Sequence, residues 1–103
     1  MSPEPTCPVT ATARILGARW TLQIIHYLRE RRRFCELQGL VGGVNPTTLS
    51  QRLKFLEEQG LVRRLPISEA PLHVEYELAD PGRDLLPIID SLTWWADKWL
   101  INS

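Results

Sequence analysis

Between residues 45 and 60 the apolar positions are Leu49, Leu53 and Leu56, spaced i, i+4, i+7, which is the repeat of a single stripe on an α-helix. Asn45 suits the N-cap, Pro46 the first helical position, where its missing N–H has no partner to lose, and Gly60 the position just past the end. Stepping about 100° per residue places Thr47, Ser50, Gln51 and Lys54 on the side away from the leucines, with Arg52 on a flank. Upstream, Pro8 to Leu16 reads as a first helix, broken by Gly17. A second helix runs from Arg19 to Arg29 with Trp20, Ile24, Ile25 and Leu28 on its buried side, Trp20 serving as a core anchor. Phe34 to Leu40 reads as a short third helix with Phe34, Leu37 and Leu40 inward, and the turn at residues 41–44 contains Gly42 and Gly43. Downstream, residues 61–67 and 73–78 alternate apolar with polar positions around a turn at 68–71, the pattern of a two-stranded hairpin, with Pro66 and Pro71 at its ends or edges. From Asp80 or Pro81 to about Leu100, apolar residues including Leu85, Ile88, Ile89, Leu92, Trp95 and Trp99 recur at three- and four-residue spacing. This predicts one last helix of about 20 residues, or roughly 30 Å.

Two helices joined by a tight glycine-containing turn, the second with a polar outer face, form a helix-turn-helix, and a hairpin directly after it is a wing. The fold class expected is mainly α with a small β-hairpin. The polar face then acquires chemistry. Thr47, Ser50 and Gln51 carry groups that hydrogen-bond base edges, and Thr48 adjoins them. Arg52, Lys54 and the run Arg31, Arg32 and Arg33 carry charge for phosphates, and Ser68 and His73 fall on the wing. The last helix has more apolar surface than so small a core can cover, which predicts packing against another chain through Leu85, Ile88, Ile89, Leu92, Trp95 and Trp99. Two-fold symmetry would set two reading helices about one DNA turn apart, over an inverted repeat.

The chain has 103 residues, is 44% hydrophobic and has a formal net charge of zero. That length fits one domain, residues 8–103, behind a flexible, proline-bearing arm at residues 1–7. Neutrality conceals polarity. Residues 14–64 hold ten Arg or Lys against four Glu, a balance of +6, whereas from residue 65 onward two basic residues face seven acidic ones, a balance of −5. Local potential governs contact with phosphates, so a basic first part fits double-stranded DNA as the partner. No apolar run approaches the roughly 18 residues that cross a bilayer, and the first residues lack a signal-peptide layout, so no membrane role and a cytoplasmic location are expected. Two cysteines and two histidines at scattered positions have no zinc-ligand spacing. Acids, His and Cys occur singly, not as a nucleophile beside a base and an orienting acid, so neither an enzyme nor a cofactor is expected. The competing reading is a winged-helix module for protein contacts, since fold alone does not fix function.

Seven segments in order carry a family resemblance: Cys7-Pro8-Val9, Gly17 to Leu22, Arg33-Phe34-x-Glu36-Leu37, Thr48 to Leu53, Leu56-Glu57-x-x-Gly60-Leu61-Val62, Val74-Glu75-Tyr76 and Gly82-Arg83-x-Leu85. Together, from Cys7 to about Leu100, they resemble the HxlR family of bacterial transcriptional regulators. The resemblance implies a winged helix-turn-helix homodimer built through its first and last helices, acting as repressor or activator at palindromic promoter sites. It also implies that Cys7, matching a cysteine through which several members respond to electrophiles or oxidants, is a candidate sensor. An inert thiol is the alternative, because reactivity requires an accessible thiolate. Three departures from the family pattern stand out. Cys35 occupies a position where Asn is common, either as a second reactive thiol or as a small half-buried hydrophobe. His73 replaces a common Arg at the wing. The last helix contains no cysteine, so a Cys7 partner would have to be Cys35, the other subunit's cysteine or a small thiol.

Overall fold

The computed structural model describes residues 7–101. The arm expected at residues 1–7 therefore lies, Cys7 excepted, outside the described residues. Helix α1 spans Pro8–Leu16 and buries no residue of its own. Helix α2 spans Thr21–Tyr27, shorter at both ends than the pattern suggested. The reason lies in the backbone: Trp20 has φ 78°, in the left-handed region, so it stands outside the helix as its N-cap. Trp20 is half-buried, packing against the core rather than anchoring its centre.

Helix α3 spans Phe34–Val41. Leu37 is fully buried and Phe34 partly so, but Leu40 is 40% exposed, which corrects its inward assignment. Two successive three-residue steps carry Leu40 about 120° away from Phe34, whereas Val41, seven residues on, returns to the stripe and packs against the core. The chain turns through Gly42 (φ 69°) and Gly43 (φ 89°), where residues with a Cβ would be strained. Helix α4 then spans Pro46–Glu58, and the Asn45 side chain accepts a hydrogen bond from the Thr48 N–H at 2.8 Å. After Gly60 the Leu61 N–H returns to the Leu56 carbonyl at 2.9 Å and closes the helix end.

Strands β2 (Val62–Glu69) and β3 (Leu72–Leu78) form the hairpin. They pair as far as Glu69 opposite Leu72, so the turn is only Ala70 and Pro71, tighter than the expected 68–71, and Ser68 lies within the ladder. Pro66 is accommodated because β2 is an edge strand with a register shift between Pro66 and Ser68. A third strand, β1, consists of Arg32 and Arg33 alone, paired antiparallel with Tyr76 and Glu75. The sheet order is β1-β3-β2, so the basic run expected to contact phosphates is stitched to the hairpin.

The last helix is not continuous. Helix α5 covers Asp80–Arg83 and α6 covers Leu86–Ala96, followed by a wider π-helical coil at Asp97–Ile101. Pro87 explains the break: it has no N–H to donate to the Arg83 carbonyl, and its ring crowds that carbonyl. The Leu85 N–H turns instead to the Gly82 carbonyl at 3.1 Å, and regular bonding resumes from Ile89 to Leu85 at 2.9 Å.

One buried cluster joins α2, α3, α4, β2, β3 and α6. It contains Ile24, Ile25 and Leu28 of the second helical segment, Leu37, Val44, the three leucines of α4, Leu61 and Val62, Leu78, and Ile89. Gly82 lets the start of the last helical region approach this cluster, since a Cβ there would run into the Leu61 carbonyl. That carbonyl already accepts the Ala79 N–H at 2.9 Å, so it cannot retreat without losing a bond. Gly82→Ala is therefore expected to lower stability by about 1–3 kcal/mol through overpacking. Gly39→Ala, in the middle of α3 with nothing within 4 Å of a new Cβ, is expected to raise it by about 0.5–1 kcal/mol. Urea midpoints of the two variants would fall on opposite sides of the wild-type value.

Candidate nucleic-acid interface

The leucine stripe of α4 is buried almost completely, with Leu49, Leu53 and Leu56 at 1% exposure or less. Turning those side chains inward forces the remainder of the helix outward. Thr47, Ser50, Gln51 and Lys54 are exposed, and Thr48 and Arg52 are half-buried at the flanks. The surface changes character along the helix: hydroxyl, amide and cationic groups occupy Thr47 to Lys54, then Glu57 and Glu58 follow. A phosphate surface is attracted to the N-terminal half and repelled by the C-terminal end.

The basic residues of the 14–64 segment divide into two groups. Arg29 pairs with Asp90 at 2.8 Å, tying the end of α2 to α6. Arg31 Nη2 lies 2.9 Å from Glu77 and its Nε 3.7 Å from Glu75, while Arg63 reaches the other Glu77 oxygen at 3.6 Å. Arg32 donates to the Tyr27 carbonyl at 3.1 Å and lies 3.3 Å from Glu30. Arg14, Arg19, Arg33, Arg52, Lys54 and Arg64 enter no ion pair among the described residues. Sequence reasoning treated Arg31 to Arg33 as one unit, whereas only Arg33 leaves its charge uncompensated. The alternation that puts Glu75 and Glu77 on one face of β3 was the available signal, but it points to Arg31 only once β1 is known to lie beside that strand. Arg33 also begins α3, where its N–H donates to the Glu36 carboxylate at 2.8 Å. Arg52 Nε donates to the Arg19 carbonyl at 3.0 Å.

On the wing, Ser68 Oγ donates to the Pro71 carbonyl at 2.9 Å, and His73 Nε2 lies 2.6 Å from Glu75 Oε2. Both side chains are thus held by the hairpin itself. Ile67 and Leu72 project from it, 51% and 68% exposed.

The residues expected to pack against another chain are split. Ile89 belongs to the chain's own core and Leu85 packs against it, whereas Ile88, Leu92, Trp95 and Trp99 are exposed, together with Trp94, Leu100, Ile101 and Val9 of α1. Lys98 Nζ stands 5.3 Å from the centres of both the Trp94 and Trp99 rings, a cation–π arrangement on this apolar surface.

Cys7 and Cys35 are free, exposed thiols. Cys7 is the N-cap of α1, and its pKa is lowered from that of an ordinary thiol, chiefly by the Thr10 backbone N–H, then by the Val9 N–H and the Thr10 hydroxyl. Each of these groups favours the thiolate. Among the described residues no helix is long and apolar enough to cross a membrane, and no group of three His, Cys, Asp or Glu side chains is placed to hold a metal.

An exposed polar helix behind a glycine turn, with a wing to one side, defines a winged helix-turn-helix protein. The HxlR-like helix-turn-helix family model matches residues 15–103, and the chain belongs to that family. It is 36% identical over 102 residues to YvaP, an uncharacterized HTH-type transcriptional regulator of Bacillus subtilis, covering 97% of this chain and 94% of the relative. Among solved structures, a MarR-family regulator from Porphyromonas gingivalis W83 superposes with a TM-score of 0.88 at 36% identity, over 97% of this chain and 98% of that one. The redox regulator HypR in its oxidized form superposes with a TM-score of 0.83 at 29% identity, over 89% and 96% of the two chains. The chain is accordingly a transcriptional regulator of helix-turn-helix type, from a family of regulators and not of enzymes.

Because the folded chain favours the Cys7 thiolate, alkylation by iodoacetamide is expected to begin at lower pH for Cys7 than for an unstructured peptide thiol. Its rate should rise with pH through a midpoint below the ordinary thiol value. Thr10→Ala, which removes the hydroxyl but not the N–H, should move that midpoint upward by only part of the shift. Mass-spectrometric rate profiles of Cys7 peptides between pH 5 and pH 10, about the range in which such thiols titrate, measure both.

Proposed function

We propose that the protein reads a specific DNA sequence as a homodimer at an inverted-repeat promoter site. The observation that carries this reading is the outer face of α4, where Thr47, Ser50 and Gln51 are exposed beside Arg52 and Lys54 while every leucine of the helix is buried. Thr47, Ser50 and Gln51 are the base readers, with Thr48 beside them, and Arg52 and Lys54 contact phosphate. In the basic run Arg33 is the first phosphate contact; Arg31 and Arg32 would have to exchange Glu77 and Glu30 for phosphate. Ser68 and His73 lie on the wing, where it would meet the neighbouring groove.

The dimer reading rests on the exposed apolar residues of α6 and the coil after it, together with α1, which packs only Ile15 and Leu16, both partly buried, against its own core. Two such surfaces meeting about a two-fold axis would space the α4 helices by one DNA turn, about 34–36 Å. A small electrophile or oxidant is the proposed effector, acting on Cys7, whose exposure and stabilised thiolate favour reaction. Similarity to the redox regulator HypR supports this reading.

Binding to the DNA upstream of its own gene is expected to weaken steeply with salt and to be lost in the Gln51→Ala, Arg52→Ala double variant. Salt-indifferent or absent binding would instead favour a protein-contact module. Leu92→Glu with Trp95→Glu is expected to shift the protein from dimer to monomer in sedimentation, with an unchanged far-ultraviolet circular dichroism spectrum. A quinone or peroxide should change operator affinity in the wild type and not in Cys7→Ser; equal responses would remove Cys7 from the mechanism.

A further inference from the structure

We infer that Arg19, in the turn before α2, is a phosphate-binding residue that acts with Arg52 as a two-arginine clamp on one DNA backbone. This rests on the DNA-reading function proposed above. The clamp begins with Trp20, whose φ of 78° places an aromatic residue in the left-handed region, a conformation uncommon for bulky side chains and concentrated at functional sites. The bend has two results. It presents the Arg19 carbonyl to Arg52 Nε at 3.0 Å, across 33 residues of chain, and it lays the Arg19 guanidinium over the Trp20 ring, 4.6 Å from its centre. Two guanidinium-bearing residues are thereby fixed side by side at the flank of α4.

Both retain their binding capacity. Arg52 spends one of its five N–H donors on the Arg19 carbonyl, and stacking occupies a face of Arg19 but none of its N–H edges. Neither residue enters an ion pair among the described residues, whereas Arg29, Arg31, Arg32 and Arg63 all do. Arg52 follows Gln51 on the reading helix, so a backbone held by Arg52 runs beside the base-reading face. Arg19 extends that grip onto a different element and fixes the orientation of the reading helix without reading bases, as phosphate contacts do.

The contact is independent of sequence, so a mixed-sequence DNA duplex serves as the probe. For Arg19→Gln the slope of log affinity against log salt is expected to become shallower by about 0.9, the value of one phosphate. Affinity at fixed salt should fall about three- to tenfold. Arg19→Lys should restore the slope, the Arg19→Gln, Arg52→Gln double variant should flatten it by about 1.8, and Arg14→Gln, an exposed arginine on α1, should leave it unchanged. An unaltered slope in Arg19→Gln, or an equal change in Arg14→Gln, overturns the clamp while leaving the DNA-reading function standing. Failure of the wild type to bind any duplex overturns that function and the clamp with it. A role in folding alone would lower the thermal midpoint of Arg19→Gln and leave the slope intact, which also overturns the clamp.

Discussion

The orientation of everything in this molecule follows from the burial of Leu49, Leu53 and Leu56. Three leucines on one helical stripe, each worth about 1.5–3 kcal/mol when fully withdrawn from water, fix the rotation of α4 about its own axis. A rotation of one residue position would expose a leucine and bury a threonine or glutamine without a partner. The polar face is therefore held outward by the same apolar contacts that hold the domain together. Asn45 fixes where the helix begins, and the return of the Leu61 N–H to Leu56 fixes where it ends.

The sheet then determines what lies on either side of that helix. Pairing of Arg32 and Arg33 with Tyr76 and Glu75 joins the start of α3 to the hairpin, so the helix-turn-helix and the wing are one covalently and hydrogen-bonded frame. The acidic residues of β3 serve this frame. Glu77 stands between Arg31 and Arg63, and each surface pair contributes little alone, about 0–1 kcal/mol, yet together they decide which cations remain available. The basic segment is in this way sorted into Arg29, Arg31, Arg32 and Arg63, which are paired with acids, and six residues, Arg52 and Lys54 of α4 among them, that enter no ion pair among the described residues.

Much of this was legible before any coordinates. Helix α1 begins and ends where Pro8 and Gly17 place it, and α4 is bounded by Asn45 and Gly60 because capping residues act locally. The apolar period likewise assigned the outward set on α4 residue by residue. What escaped notice depends on partners distant in sequence. Strand β1 is two arginines with no apolar alternation, a strand only because β3 lies beside it. Trp20 reads as part of a helix because its apolar character continues the stripe, whereas its backbone is left-handed and its side chain packs against the core. The break before α6 was visible in Pro87 but masked by an apolar repeat that runs through it, since two α-helical residues at Asp84 and Leu85 keep the phase.

That break makes the connection between the winged frame and α6 a joint instead of a rod. A continuous helix resists bending because each turn must strain several backbone bonds at once, but here the Arg83 carbonyl has no N–H from Pro87 to hold it, and the bonds from Asp84 to Asp80 and from Leu85 to Gly82 carry the turn. In a two-fold assembly built on α6, the angle at Asp84 and Leu85 sets the separation of the two frames. Base pairs repeat every 3.4 Å along the duplex, so a small pivot at this point is amplified across the width of each frame into a mismatch of register between the two halves of a site. Burial of Ile89 in the core and the Arg29–Asp90 pair at 2.8 Å resist such a pivot, because they hold α6 against α2 within each frame.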